Sequence, residues 1–304
     1  MLKQVIFCIH TGGELEQPVC GAARYLQQCG LKTEICHTAD GDGIGCEDAM
    51  ETLFLADDMK IIEKPRKSGF YAIGIQKSED TQQRFSGVKY VFTDIEEVEA
   101  DSYEKAFQRL AGLPWKILET DRCIVRETTV NDVNDFYRIY ADPSMTRYME
   151  GLFGHPEDEI RYTKDYIEKV YGLLGFGVWT VIEKKSGNVI GRAGFSIRNG
   201  FDDVELGFLI GVPWQKKGYA TEVCSAIMDY GKEVLQFREV QTLVKKENEV
   251  SIHICEKLGF RRYDEVDIEE NIYGESYQNG RSVNFSPSHY GKYVRLIWES
   301  DRQN

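Results

Sequence analysis

The chain has 304 residues, 42% apolar and 29% charged, with a net charge of −13. At roughly 150 residues per domain this length fits two domains, and the composition excludes disorder, collagen and coiled coil. Both halves are acidic and neither end carries a basic tail, which argues against a nucleic-acid partner.

The longest uncharged apolar stretch, residues 171–182, is shorter than the roughly 20 residues a membrane span needs. The opening Met1-Leu2-Lys3-Gln4 has no signal-peptide pattern. Eight cysteines without a C-x-x-C pair read as reduced thiols, so a cytoplasmic location is expected. Cys8, Cys20, Cys29, Cys36 and Cys46 lie near the N-terminus with His10 and His37, but their spacing fits no zinc-ligand pattern and no metal is expected.

In chain order, residues 4–9 form a short apolar run suited to a buried strand. Helical spacing over 19–29 ends at Gly30, and 32–38 reads as a strand. A weak helix at 47–52 and a short strand at 53–56 follow. Residues 59–68 are helical despite Pro65, 71–76 and 90–93 are strands, and 102–111 is a helix. Strands separated by helices imply parallel pairing with right-handed crossovers, hence an α/β, doubly wound sheet of about five strands. Gly112-Leu113-Pro114 punctuates its end, and the expected domains are 1–118 and 119–304.

The second half has another rhythm. After a strand at 123–127, Thr129 and Asp132 start a helix in the manner of a capping box, and a longer helix is expected over 157–174. Strands 178–183 and 189–198 flank the turn Ser186-Gly187-Asn188. Strand 204–211, a helix from Tyr219 to about Leu235, strand 240–245, helix 250–258 and strand 260–266 complete an α+β order. Residues 270–288 are polar and without periodicity, and 293–298 close as a β-rich segment.

Chemistry concentrates in residues 204–222, which read as a strand, a turn and a helix N-terminus. Free N–H groups and the positive end of the helix dipole converge there, making an anion site. Gly218 allows close backbone approach, and Lys216 and Lys217 add charge. These residues alone suggest a phosphate-bearing ligand; the plain alternative is an ordinary turn with exposed lysines.

Gln215-x-x-Gly218-x-Ala220 matches a Q/R-x-x-G-x-G/A loop. With Cys123-Ile124-Val125-Arg126-Glu127, the run Gly218-Tyr219-Ala220-Thr221-Glu222, and Asn248-Glu249-Val250-Ser251 before Glu256-Lys257-Leu258-Gly259-Phe260, the stretch from about Arg122 to Tyr263 resembles the GNAT N-acetyltransferases. It is most similar to the branch of ribosomal-protein alanine acetyltransferases. The resemblance implies a mixed, mostly antiparallel sheet splayed between strands 204–211 and 240–245, with acetyl-CoA in the gap. Gln215, Lys216, Lys217, Gly218, Tyr219, Ala220 and Thr221 would hold the pyrophosphate through backbone N–H groups. Leu209 and Ile210 would meet the pantetheine, Asn248 would bond its arm or serve as a helix N-cap, and Ser251 would lie near the phosphates.

A free alkyl amine, with a pKa of about 8–10, is mostly protonated at neutral pH, yet only the neutral form attacks a thioester. The site therefore needs a base, oxyanion donors and an acid. Glu205 is the expected base, through a water, unless it is merely a solvated or salt-bridged Glu at a strand start. The Leu209 N–H is the oxyanion donor that the resemblance implies. Where many members of the family carry Tyr, this chain has Cys255, either the acid or an inert buried thiol.

Residues 144–156, with Arg147, Tyr148, Met149, Phe153 and His155, are expected as one wall of an acceptor cleft. Tyr273, Tyr277, Asn279 and Arg281 are expected on another. The acceptor is an amine-bearing small molecule or a protein N-terminus, and a homodimer is compatible with the sequence.

Residues 1–95 resemble a haloacid-dehalogenase-type (HAD) phosphatase core. Leu55-Ala56-Asp57-Asp58 is similar to its acidic strand end, but Phe7-Cys8-Ile9-His10-Thr11-Gly12 lacks both aspartates of its nucleophile loop. Asp40-Gly41-Asp42-Gly43 reads as a solvated turn. A non-catalytic accessory domain is expected. The alternatives to an acetyltransferase are a non-catalytic acyl-CoA-binding module and a bifunctional phosphatase–acetyltransferase.

Overall fold

The computed structural model describes residues 1–37, 49–77, 85–270, 274–284 and 287–300. The chain forms two compact units, Met1–Trp115 and Lys116–Asn304. No helix among the described residues is long and apolar enough to cross a membrane.

The first unit contains β1 (Gln4–Ile9), α1 (Glu16–Gln28), β2 (Lys32–His37), β3 (Thr52–Ala56), α2 (Met59–Lys67), β4 (Tyr71–Gln76), β5 (Val91–Thr93) and α3 (Ala100–Ala111). All neighbouring strands are parallel, in the order β2-β1-β3-β4-β5. Alternate residues of β1 feed two cores. Val5, Phe7 and Ile9 meet Val19 and Leu26 of α1 and Tyr103 and Phe107 of α3. Ile6 and Cys8 join Phe54 and the α2 pair Ile61 and Ile62. Helices thus cover both faces, which is why β1 and β3 are almost uninterrupted apolar runs. Only a 3-10 turn, Ala49–Glu51, occupies the described part of the expected weak helix. Cys46 and Asp40-Gly41-Asp42-Gly43 lie outside the described residues.

The second unit opens with β6 (Lys116–Glu119), β7 (Cys123–Arg126), α4 (Val133–Tyr140), α5 (Pro156–Tyr166), the one-turn α6 (Gly172–Leu174), β8 (Val178–Glu183) and β9 (Val189–Ile197). It continues with β10 (Val204–Ile210), α7 (Tyr219–Glu233), β11 (Glu239–Lys245), α8 (Glu249–Lys257), β12 (Arg261–Glu270), β13 (Ser276–Gln278), β14 (Arg281–Val283) and β15 (His289–Glu299). Eight strands run in the order β12-β15-β11-β10-β9-β8-β7-β6, and β10 and β11 are the parallel neighbours in an otherwise antiparallel sheet. One face packs Leu206, Phe195 and Trp179 against Val223 and Ile227 of α7 and Ile252 of α8. On the other face Leu209 meets Ile139 of α4 and Met145.

The capping box forms: the Thr129 side chain accepts from the Asp132 N–H, and the Asp132 carboxylate accepts from the Thr129 N–H at 2.8 Å. The helix expected over 157–174 is interrupted. A π turn at Ile167–Tyr171 separates α5 from α6 and turns Tyr171 into the core, where its hydroxyl donates to the Val178 carbonyl at 2.6 Å.

Candidate active site

Only two residue pairs join β10 to β11, Val204 with Val240 and Glu205 with Gln241. β10 stays paired to β9 as far as Ile210, and β11 to β15 as far as Lys245. The two strands therefore part from Leu206 onward, leaving a gap between parallel chains.

Which peptides face that gap follows from the ladder. The Gly211 N–H donates to the Ile190 carbonyl at 2.8 Å. The Leu209 carbonyl points at Gly191 so closely that a Cβ there would sit 2.1 Å from it. Successive peptides alternate, so Leu209 faces β9 and its neighbours Phe208 and Ile210 face the gap. This corrects the oxyanion donor expected at Leu209: its N–H belongs to the β9–β10 ladder. The Ile210 carbonyl is already held by Gln215 Nε2 at 2.8 Å.

At the open end, β10 leads through a 3-10 turn at Val212–Trp214 into α7. Lys216 (φ +60°) and Gly218 (φ +83°) both adopt left-handed backbone, and α7 begins without a side-chain cap. The N–H groups of residues 216–221 have no backbone acceptor among the described residues. The loop is braced from behind by Arg122, whose part sequence reading missed. Its Nη1 donates to the Lys217 carbonyl at 2.9 Å and its Nε to Glu222 Oε2 at 2.6 Å. Its guanidinium lies 4.1 Å from the Tyr219 ring centre. Lys217 Nζ donates to the Pro213 carbonyl at 2.7 Å, and the Tyr219 hydroxyl donates to Glu183. The side chains of Gln215, Lys217 and Tyr219 thus shape the loop while its peptides stay available. Ala220 and Thr221 lie in the first turn of α7.

α8 starts at the open end of β11. Asn248 is its N-cap, and Oδ1 accepts from the Ser251 N–H at 3.2 Å. The capping use of Asn248 is thereby realised, and Ser251 stands beside it.

Glu205 sits at the closed end of the gap, buried and forked by Arg198, with Nε–Oε2 at 2.6 Å and Nη2–Oε1 at 3.1 Å. Its strand neighbour Gln241 is fully buried; Nε2 donates to the Asp203 carbonyl at 3.2 Å, and Oε1 has no donor among the described residues. Cys255 lies elsewhere. It is enclosed in the apolar core with Cys224, and burial pushes its thiol up to about 12. Its enclosure favours the inert buried thiol over the acid among the two readings of Cys255.

The two expected acceptor walls pack on one another. Phe153 lies 5.7 Å from Tyr277, ring centre to ring centre, and both contact Tyr162 of α5. The Tyr277 hydroxyl also bonds Asp165 at 2.7 Å. Tyr277 belongs to a hairpin that sequence reading missed, turned by Asn279 (φ +50°) and Gly280 (φ +75°), and Arg281 opens its second strand. Arg147 stacks on Tyr148, while Met149 is exposed and His155 precedes α5. Tyr273 lies outside the described residues.

In the first unit, Cys8 stands where the HAD-type resemblance would place a nucleophile. It is buried, and burial pushes its thiol up to about 12. At the same strand ends His10 Nδ1 pairs with Asp57 Oδ1 at 3.0 Å. Among the described residues no group of three or more His, Cys, Asp or Glu could hold a metal ion.

Residues 122–261 match the family model described as "Acetyltransferase (GNAT) domain". An uncharacterized N-acetyltransferase, p20 of Bacillus licheniformis, is 28% identical over 151 residues, covering 48% of this chain and 82% of that protein. The spermidine N(1)-acetyltransferase of Escherichia coli (strain K12) is 38% identical over 80 residues, 26% of this chain and 40% of that protein. Among solved structures, the ribosomal-protein-S5-alanine acetyltransferase of Vibrio fischeri matches with a TM-score of 0.47 and 16% identity, covering 62% of this chain and 98% of that one.

Proposed function

We propose that this chain, which carries a GNAT acetyltransferase domain over residues 122–261, moves an acetyl group from acetyl-CoA to a primary amine. The observation that carries the reading is the parting of β10 and β11 next to a run of N–H groups at the start of α7 that have no backbone acceptor among the described residues. Such a run suits a diphosphate, and the gap-facing peptides of Phe208 and Ile210 suit a pantetheine arm lying as an extra strand. Acetyl-CoA would supply an activated acetyl thioester there. Residues 216–221 would hold the diphosphate, and the Asn248–Ser251 end of α8 would flank it.

Glu205 would receive the ammonium proton through a water, with Arg198 fixing the carboxylate. The Phe208 N–H, which faces the gap, would donate to the developing oxyanion. With Cys255 enclosed, the leaving thiolate would take its proton from solvent. The first unit, about residues 1–118, would be a non-catalytic accessory of HAD-type descent. Spermidine, named for one relative, is a first acceptor to try, beside protein N-termini.

The test is acetyl-CoA with a broad amine panel, read by thiol release and by the mass gain of one acetyl group. A second reading, an acyl-CoA-binding module without turnover, draws on the Arg198 fork that occupies Glu205 and on the burial of Cys255. Calorimetric binding of acetyl-CoA with no product from any amine would select it.

A further inference from the structure

Three arginines on the α4 face of the sheet are matched by carboxylates: Arg126 by Asp132, Arg198 by Glu205 and Arg295 by Asp264. Arg192 is the exception. It stands on β9, in register with Thr180 on one side and Leu209 on the other. Its guanidinium lies 4.6 Å from the ring centre of Phe136 on α4. Its Nε is buried without an acceptor, and no carboxylate among the described residues comes within ion-pair distance.

Tyr140, Tyr162, Tyr171 and Glu159 are the titratable groups that reach it electrostatically. Glu159 is buried on α5 and accepts from the Phe153 N–H at 3.2 Å, and among the described residues it forms no hydrogen bond or ion pair with Arg192. Arg192 is half-buried, so its Nε is cut off from water without an acceptor while the rest of the guanidinium, with its planar fork of donors, stays reachable. The position is also telling, since Leu209 immediately precedes Ile210 and follows Phe208, whose peptides line the gap.

We infer that Arg192 receives a carboxylate on the acceptor, so that the cleft takes amines that also carry a carboxylate, as amino acids do. The inference rests on the acetyl-transfer reading above. A single guanidinium balances one negative charge, which favours a carboxylate over a dianionic phosphate.

The experiment compares amino acids with their decarboxylated twins, such as lysine with cadaverine, and adds phosphoethanolamine. The wild-type protein is expected to favour the carboxylated member at least tenfold in kcat/KM. R192Q should erase that preference by raising KM for the amino acid, leaving turnover of the bare amine and the Kd for acetyl-CoA unchanged. Equal use of both twins by the wild type overturns the inference without need of any variant. So does an R192Q that slows both twins alike, or a preference for phosphoethanolamine. Acetylation of bare amines alone refutes the carboxylate and keeps acetyl transfer, whereas no acetylation of any amine refutes acetyl transfer itself.

Discussion

Glu205 of β10 and Gln241 of β11 are the last residues at which the two parallel strands share a register; one step further the strands have separated. The buried carboxylate therefore stands at the vertex of the gap, beside an amide oxygen that has no donor among the described residues.

E205Q keeps the shape and removes the proton acceptor. Acetyl transfer should fall about 10²-fold, the usual scale of general-base catalysis. The remaining activity should rise toward higher pH, because the amine must then reach the site already neutral. A pH–rate profile of unchanged shape removes Glu205 from the role.

Gly218 is left-handed at φ +83°, and a Cβ there would lie 3.4 Å from Arg122 Nη2. G218V should strain the loop by about 1–2 kcal/mol, the cost of a left-handed conformation for a residue with a side chain. CoA affinity should then drop about tenfold, since 1.4 kcal/mol is one decade in Kd. Calorimetry reads this directly.

C255A separates packing from chemistry. Losing the enclosed sulfur should cost about 1 kcal/mol, or a fall in Tm of about 2–4 °C. The turnover number at a temperature where the variant is folded should stay within about threefold of wild type, less than half a decade in rate. A far larger loss with the pH profile altered would restore Cys255 as the acid.

Asp132 is buried, and burial alone would raise its pKa. The Arg126 fork, the Thr129 N–H and the Thr180 hydroxyl outweigh burial and hold it below the ordinary carboxylate range. Its contribution to stability is thus fully present above the unfolded value of about 4 and is lost as pH falls toward the depressed one. D132N should cost about 3 kcal/mol at neutral pH, as expected for breaking a buried pair. It should also flatten the decline of the urea midpoint below about pH 4, the unfolded carboxylate value.

Much of this was legible in the residues. β1 and β3 stood out because strands covered on both faces are unbroken apolar runs, and the Thr129–Asp132 box and the Gly218 loop carry local signatures. Asn279-Gly280 was an available hairpin signal that polar surroundings concealed. The π turn follows from Tyr171 reaching Val178, a tertiary contact without a local pattern. Peptide direction at Leu209 depends on which strand β10 pairs with, and the Arg122 brace joins residues 95 positions apart in sequence. The burial of Cys255 likewise belongs to the packing of α8 on the sheet.

The brace has a consequence for how binding responds to salt. Arg122 is neutralised by Glu222, and Lys217 is turned onto the Pro213 carbonyl. Apart from the exposed Lys216, the seat that remains is built from peptide dipoles, which mobile ions screen far less than they screen free charges. Affinity for a diphosphate should accordingly hold nearly level from dilute buffer to physiological ionic strength, unlike that of a cleft lined with free lysines.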